Sequence, residues 1–113
     1  MAVRAVTKHI SISAQKLRLV CDKVRGMGAE QALVTLQFMP QKGAHIVSKT
    51  LASAVANAEN NFDLNRGDLY VATIHADEGP SLKRMKAGAR GRYKPRVRRT
   101  SHLTVIVAER EGN

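Results

Sequence analysis

The sequence predicts an α+β fold carrying a protruding basic β-hairpin, and three observations predict it. Apolar residues recur at helical spacing through the first half, β-branched runs follow Gly67, and a basic segment punctuated by Gly and Pro separates the two clearest strand-like runs. No internal repeat or low-complexity linker divides the chain. A single domain over residues 1–113 is expected, with a body of about 1–78 and 100–113 and a hairpin of about 79–99.

Taken in order, Ser13 is a good helix cap, Leu17, Val20, Cys21 and Val24 share one face, and Gly26 is a stop signal. The spacing predicts a helix from about Ala14 to Arg25, with Lys16 and Lys23 on its other face and Arg18 and Arg25 flanking them. A shorter helix is expected from about Ala29 to Phe38, with Ala32, Leu33 and Leu36 inward. Pro40 suits the first turn of a third helix, where its missing N–H costs nothing. Ala44, Val47, Leu51, Ala54, Val55 and Ala58 then form an apolar stripe ending near Asn60, Asn61 and Gly67. The alanines imply close approach to a neighbouring helix or sheet.

Leu69 to Ala76 and Leu103 to Val107 read as strands, with Leu103, Val105 and Val107 alternating with His102, Thr104 and Ile106. They pair naturally as antiparallel neighbours. The segment between them contains Gly79, Pro80, Gly88, Gly91 and Pro95 and offers no hydrophobic face to bury. It must therefore project, or order on a partner, and Gly79-Pro80 is the bend where it leaves the body.

A chain of 113 residues buries only about two-thirds of the surface its unfolded form exposes, so the core is modest. With two Phe, two Tyr and no Trp, it must be built mainly from Val, Leu, Ile and Ala. The net charge of +10 points to a polyanionic partner, nucleic acid before an anionic membrane. Cys21 is the only cysteine, so no intramolecular disulfide forms and a reducing, intracellular compartment fits. Met1 to Ile12 alternates basic and apolar residues without the apolar stretch of a signal peptide, and no run approaches the length of a membrane span.

Charge is distributed unevenly. Nine of the seventeen residues from Lys83 to Arg99 are basic, and no acid occurs between Glu78 and Glu109. Arg90, Arg92, Lys94, Arg96 and Arg98 recur with a period of two, so an extended chain sends all five from one face, opposite Gly91, Tyr93, Pro95 and Val97. Lys83, Arg84 and Lys86 add charge on the other arm. These cations, with Arg99 and with Lys8, Lys16, Arg18 and Arg25 of the body, are the candidate RNA contacts. Lys83 to Arg99 contains no Asn or Gln for reading base edges, so recognition of phosphate and of RNA shape is expected.

Other chemistries fare worse. His9, His45, His75 and His102 lack paired ligand spacing, so no metal site is expected, and His102 suits a hydrogen bond or an RNA contact. Cys21 lies on the apolar face of its helix and reads as a buried, inert thiol. Asp77 and Glu78 would point to opposite faces of a strand, a poor arrangement for shared acid-base or Mg²⁺ work. There is no nucleophile elbow, phosphate loop or His-Asp-Ser set. The chain is not expected to be an enzyme or to carry a cofactor.

Ser13-Ala14-Gln15-Lys16-Leu17-Arg18-Leu19-Val20, Arg25-Gly26, Ser53-Ala54-Val55-Ala56-Asn57-Ala58-Glu59-Asn60-Asn61, Asp77-Glu78-Gly79-Pro80-Ser81-Leu82-Lys83-Arg84, Arg90-Gly91-Arg92 and Arg99-Thr100-Ser101-His102-Leu103-Thr104-Val105 follow one another in this order. Together they resemble the family of large-subunit ribosomal protein twenty-two, bacterial or organellar type, from about residue 4 to residue 109. The resemblance implies three helices packed on a small antiparallel sheet, a long β-hairpin that threads between RNA domains to the wall of the peptide exit tunnel, and a role in assembling the large subunit. It implies large-subunit (23S-type) ribosomal RNA and neighbouring ribosomal proteins as partners, in the cytoplasm of a bacterium or in an organelle. Carried over by position, Lys86, Ala87, Gly88, Ala89, Arg90, Gly91, Arg92 and Tyr93 would face the tunnel lumen and meet the nascent peptide, with Leu82-Lys83-Arg84 on the arm where macrolides bind nearby. Arms of about ten residues would reach roughly 33 Å. Two departures bear on the tip: Tyr93 stands where the family commonly has a small residue, and Pro95 is expected to break strand hydrogen bonding.

Two other classes compete. An architectural DNA-binding protein could use the basic ribbon as a groove-binding arm, but such arms usually come from symmetric dimers, and no homo-oligomer is expected here. A membrane-surface protein would need apolar residues that the basic segment lacks, so membrane insertion is not expected.

Overall fold

The computed structural model describes residues 2–87 and 93–110, the strand residues 82–87 and 93–98 by their backbone alone. In chain order the elements are β1 (Ala2–Ile10), α1 (Ala14–Val24), α2 (Ala29–Gln37), α3 (Gly43–Phe62), a 3₁₀ turn (Arg66–Asp68), β2 (Leu69–Glu78), β3 (Leu82–Ala87), β4 (Tyr93–Arg98) and β5 (Ser101–Glu109). β5 is the centre of a three-stranded antiparallel sheet with β1 and β2 at its edges, and β3 and β4 pair separately as a two-stranded ribbon. All three helices lie against the sheet, α1 and α2 over β2 and α3 over β1 and β5. The fold is the expected α+β arrangement.

The core is aliphatic. Leu17, Val20, Cys21 and Val24 of α1 meet Val47, Leu51, Ala54 and Val55 of α3 and Leu69, Val71, Ile74, Leu103, Val105 and Val107 of the sheet, all buried. Fully burying one such Leu, Ile or Val is worth about 1.5–3 kcal/mol. One polar group sits among them with both its bonding needs met. The buried Thr50 hydroxyl donates to the Ile46 carbonyl at 3.0 Å, leaving its oxygen to accept from Thr7 of β1 at 2.7 Å.

Strand β1 was not among the sequence-based expectations. Val3, Ala5, Thr7 and Ile10 turn toward the helices while Arg4, Val6 and Lys8 are exposed, but the register shifts between Thr7 and Ile10, where His9 has a φ of 57°. The alternation from Met1 to Ile12 thus belongs to an edge strand, and the bulge carries its register past His9. Helix α3 starts later than expected. Pro40 lies in the connection from α2, Ala44 donates its N–H to the Gln41 carbonyl, and the helix opens at Gly43, whose Cα is so close to α1 that an added Cβ would lie 2.9 Å from Leu17 Cδ1. The tight crossing of α3 on α1, rather than the proline, sets its first turn. At its other end α3 runs to Phe62 and closes on Asp63 in the left-handed conformation, φ 58°, a role Asp tolerates because its short side chain bonds locally.

The described part of the ribbon pairs six residues of each strand, a ladder of about 20 Å at 3.3 Å per residue, and the ends of the expected arms lie outside the described residues. Contrary to the expectation for it, Pro95 does not interrupt the ladder: Met85 pairs with Pro95 and the register runs on to Lys86–Lys94 and Ala87–Tyr93. In a two-stranded ribbon half the N–H groups face away from the partner strand, and a proline is accommodated at such a position. Described by their backbones, β3 and β4 pack chiefly on each other and not on the helices. The molecule measures 67 × 26 × 18 Å with a radius of gyration of 17.2 Å, against about 13 Å for a compact domain of this length.

Candidate nucleic-acid interface

The ribbon's backbone register sets like-charged residues opposite one another. Arg84 lies directly across from Arg96 and Lys86 across from Lys94, with Arg98 opposite Leu82 and Lys83 opposite Val97. Directly opposed residues in an antiparallel pair have Cβ atoms roughly 5 Å apart, and like charges there are destabilising. Ala87 and Tyr93 pair at the far end of the ladder. The remaining tip candidates, Gly88, Ala89, Arg90, Gly91 and Arg92, lie outside the described residues.

Where the ribbon leaves the body, the chain is clasped. Gly79 donates its N–H to the Thr100 carbonyl at 2.9 Å, and the Thr100 hydroxyl donates back to the Pro80 carbonyl. A Cβ at Gly79 would stand 2.7 Å from Thr100 Oγ1 and 3.1 Å from the His102 ring, so any larger residue would force Thr100 to move. Ser101, fully buried, donates to the Ile12 carbonyl at 2.8 Å. His102 accepts the His9 N–H on Nδ1 at 3.1 Å, with the two rings edge to face at 5.1 Å. The expected bend at Gly79-Pro80 is thus a root fixed from both arms, and His102 takes the hydrogen-bonding role foreseen for it.

The body cations divide into two groups. Arg18 Nε donates to the Ala76 carbonyl at 3.0 Å and Arg25 donates to the Ile74 carbonyl at 2.8 Å while pairing with Asp22. Both guanidinium groups are tied to the outer edge of β2, where Gly26 and Met27 also bond Val71, so they cover an exposed sheet edge as well as carrying charge. Lys8 and Lys16 are exposed, the first on β1 and the second in the first turn of α1. Lys16 and the exposed Arg99 line one groove together with Lys42, at the start of α3. Lys42 was not among the candidates: it lies in an aperiodic connection, and only the tertiary packing of α3 on α1 brings it to the same groove as Arg99.

Cys21 is wholly inaccessible, and burial pushes its thiol up to about 11, which fits an inert core residue. Asp77 and Glu78 are both exposed at the end of β2, and Asp77 faces His75 at 3.5 Å. Among the described residues no cluster of three His, Cys, Asp or Glu could hold a metal ion, and no helix is long and apolar enough to cross a membrane.

Residues 5–108 match the family model described as ribosomal protein L22p/L17e. The chain is 53% identical over 110 residues to the large ribosomal subunit protein uL22 of Chloroflexus aggregans, covering 97% of each chain. It is 52% identical over 109 residues to the uL22 protein of Desulfotalea psychrophila, covering 96% of this chain and 99% of that one. To the uL22 protein of Carboxydothermus hydrogenoformans it is 48% identical over 111 residues, covering 98% of both.

Proposed function

The chain belongs to the ribosomal protein L22p/L17e family, and we propose that it binds large-subunit ribosomal RNA through its basic ribbon, supports assembly of the subunit, and lines the nascent-peptide exit tunnel with the ribbon's tip. Its relatives are named as large ribosomal subunit proteins of bacteria, and on that likeness the chain is a non-catalytic component of the cytoplasmic ribosome. The observation that carries the RNA reading is the ribbon's register: Arg84 against Arg96 and Lys86 against Lys94, with no acid between Glu78 and Glu109 to offset them. Such a ladder is relieved when phosphates lie beside it. If six to ten phosphates are neutralised, affinity falls by about 10³ to 10⁵ between low and moderately high salt. The body, about 1–78 and 100–113, and the ribbon, about 79–99, act as one RNA-binding domain.

Lys83, Arg84, Lys86, Arg90, Arg92, Lys94, Arg96, Arg98 and Arg99 are the principal contacts, and Lys8 and Lys16 are body contacts that the chain leaves exposed. Arg18 and Arg25 meet RNA only with the donors that the β2 carbonyls leave unused. The tip, Lys86 to Tyr93, faces the tunnel lumen, where the nascent peptide passes and macrolides bind nearby. Neighbouring ribosomal proteins complete the setting of the body. The test is to replace Arg92, Lys94, Arg96 and Arg98 by Ala and to measure binding to a large-subunit RNA transcript over a range of salt. Affinity and salt slope should fall together while the helical circular-dichroism signal stays; unchanged affinity would remove the ribbon as the main contact.

A further inference from the structure

We infer that the groove between the first turn of α1 and the start of α3 seats one unpaired nucleotide of the RNA, its phosphate among Lys16, Lys42 and Arg99 and its base against Ile12 and Leu19. This rests on the RNA partner proposed above and gives that partner a second, body-side contact. The groove has a volume of about 520 Å³, within the range of about 300–1,000 Å³ typical of small-ligand sites. Its three cations come from three separate segments, α1, the α2–α3 connection and the β4–β5 connection. Among the described residues none of the three takes part in an ion pair. Glu78 is the acid that borders the adjoining groove, which shares Lys16 and Arg99, and it leaves the local balance positive.

Ile12 and Leu19 give the groove an apolar surface, bordered by Ser11, Ser13 and Gln41. Leu19 is 59% exposed although it sits on a helix whose apolar face is otherwise fully buried. Gly43, which lines the groove, lets α3 close on Leu17 of α1. A duplex presents its bases stacked and inaccessible, whereas unpaired nucleotides in loops and bulges splay their bases onto apolar surfaces while phosphate is held by cations. The start of α3 has no side-chain cap, so its positive end adds to the attraction for phosphate. An acidic peptide could satisfy the cations. RNA is favoured because Arg99 continues the basic run of the ribbon, so one strand can pass from the ribbon to the groove without leaving the positive field.

The experiment uses the full chain and a 4-thiouridine-substituted transcript of large-subunit ribosomal RNA, photo-crosslinked and digested with trypsin. The peptide Leu19 to Lys23 should carry a crosslinked uridine. In parallel, Lys42→Ala should weaken binding a few-fold at low salt and lower the slope of log affinity against log salt by about one. Failure of the wild-type chain to bind the transcript at low salt overturns the RNA reading itself. Tight binding with crosslinks confined to the ribbon, and a Lys42→Ala variant with unchanged affinity and slope, overturns the groove alone. The crosslink is read on the wild-type chain, so a folding defect in the variant cannot mask the result.

Discussion

The Thr100 hydroxyl donates to the Pro80 carbonyl at 2.6 Å, tying together the two arms of the ribbon at the point where both leave the sheet. Gly79 fits beneath this bond because it has no Cβ. Gly79→Ala should therefore push Thr100 away and destabilise the fold by about 1–3 kcal/mol, the usual cost of forcing a carbon into a filled site. Removing the obstacle gives the check. In urea denaturation, Gly79→Ala should cost less in a Thr100→Ala background than in the wild type, and strict additivity of the two would show that the residues do not share the space.

Arg18 and Arg25 are candidate RNA contacts on the sequence alone, yet each spends a donor on a carbonyl at the edge of β2. Arg25→Ala should cost about 1 kcal/mol, lowering the melting temperature by about 4–8 °C for a domain of this size. Lys16→Ala, which removes an exposed ammonium, should stay within about 0.5 kcal/mol of the wild type. Equal melting temperatures for the two variants would deny the arginines their structural part.

What the sequence makes legible follows the physics of its signals. Leu17, Val20, Cys21 and Val24 and the stripe from Ala44 to Ala58 keep a strict helical period, and the residues from Leu103 to Val107 a strict two-residue one, because each segment buries one face. β1 buries one face too, and its alternation shows in the sequence, but Ala2 and Val6 face outward, Thr7 faces inward and His9 at φ 57° shifts the register, so the pattern does not single out a strand. The ribbon was legible from charge and from the absence of anything to bury. The groove was not, since Lys16, Lys42 and Arg99 are far apart in sequence and meet only through the packing of α3 on α1.

Cys21 supplies a pH dependence with a definite sign. Burial raises its thiol from 9.0 to about 11 in the folded protein. The folded state then holds the proton more tightly than the unfolded one, so this contribution is complete below pH 9 and is lost as pH rises toward 11. A difference of that size corresponds to roughly 2–3 kcal/mol. Because Tyr and Lys titrate in the same range, the comparison is with Cys21→Ala. The stability gap between wild type and variant should be constant from pH 6 to 8 and shrink between pH 9 and 11; a gap independent of pH would contradict the burial of the thiol.

Excising the ribbon tests whether it belongs to the core. β3 and β4 pair with each other, while the elements that bury the apolar residues are α1, α2, α3 and the three-stranded sheet. Replacing residues 83–99 by a short Gly-Ser link retains Gly79, Pro80, Thr100 and Ser101, and with them the clasp that joins β2 to β5. Removing opposed cations also relieves a repulsion that the body does not offset. The shortened chain should keep its helical circular-dichroism spectrum and unfold cooperatively with at most a small loss of stability, while its affinity for large-subunit RNA drops steeply at low salt. A molten spectrum for the shortened chain would mean that the ribbon is a structural member of the body, and the assignment of its charge to RNA would lose its physical basis.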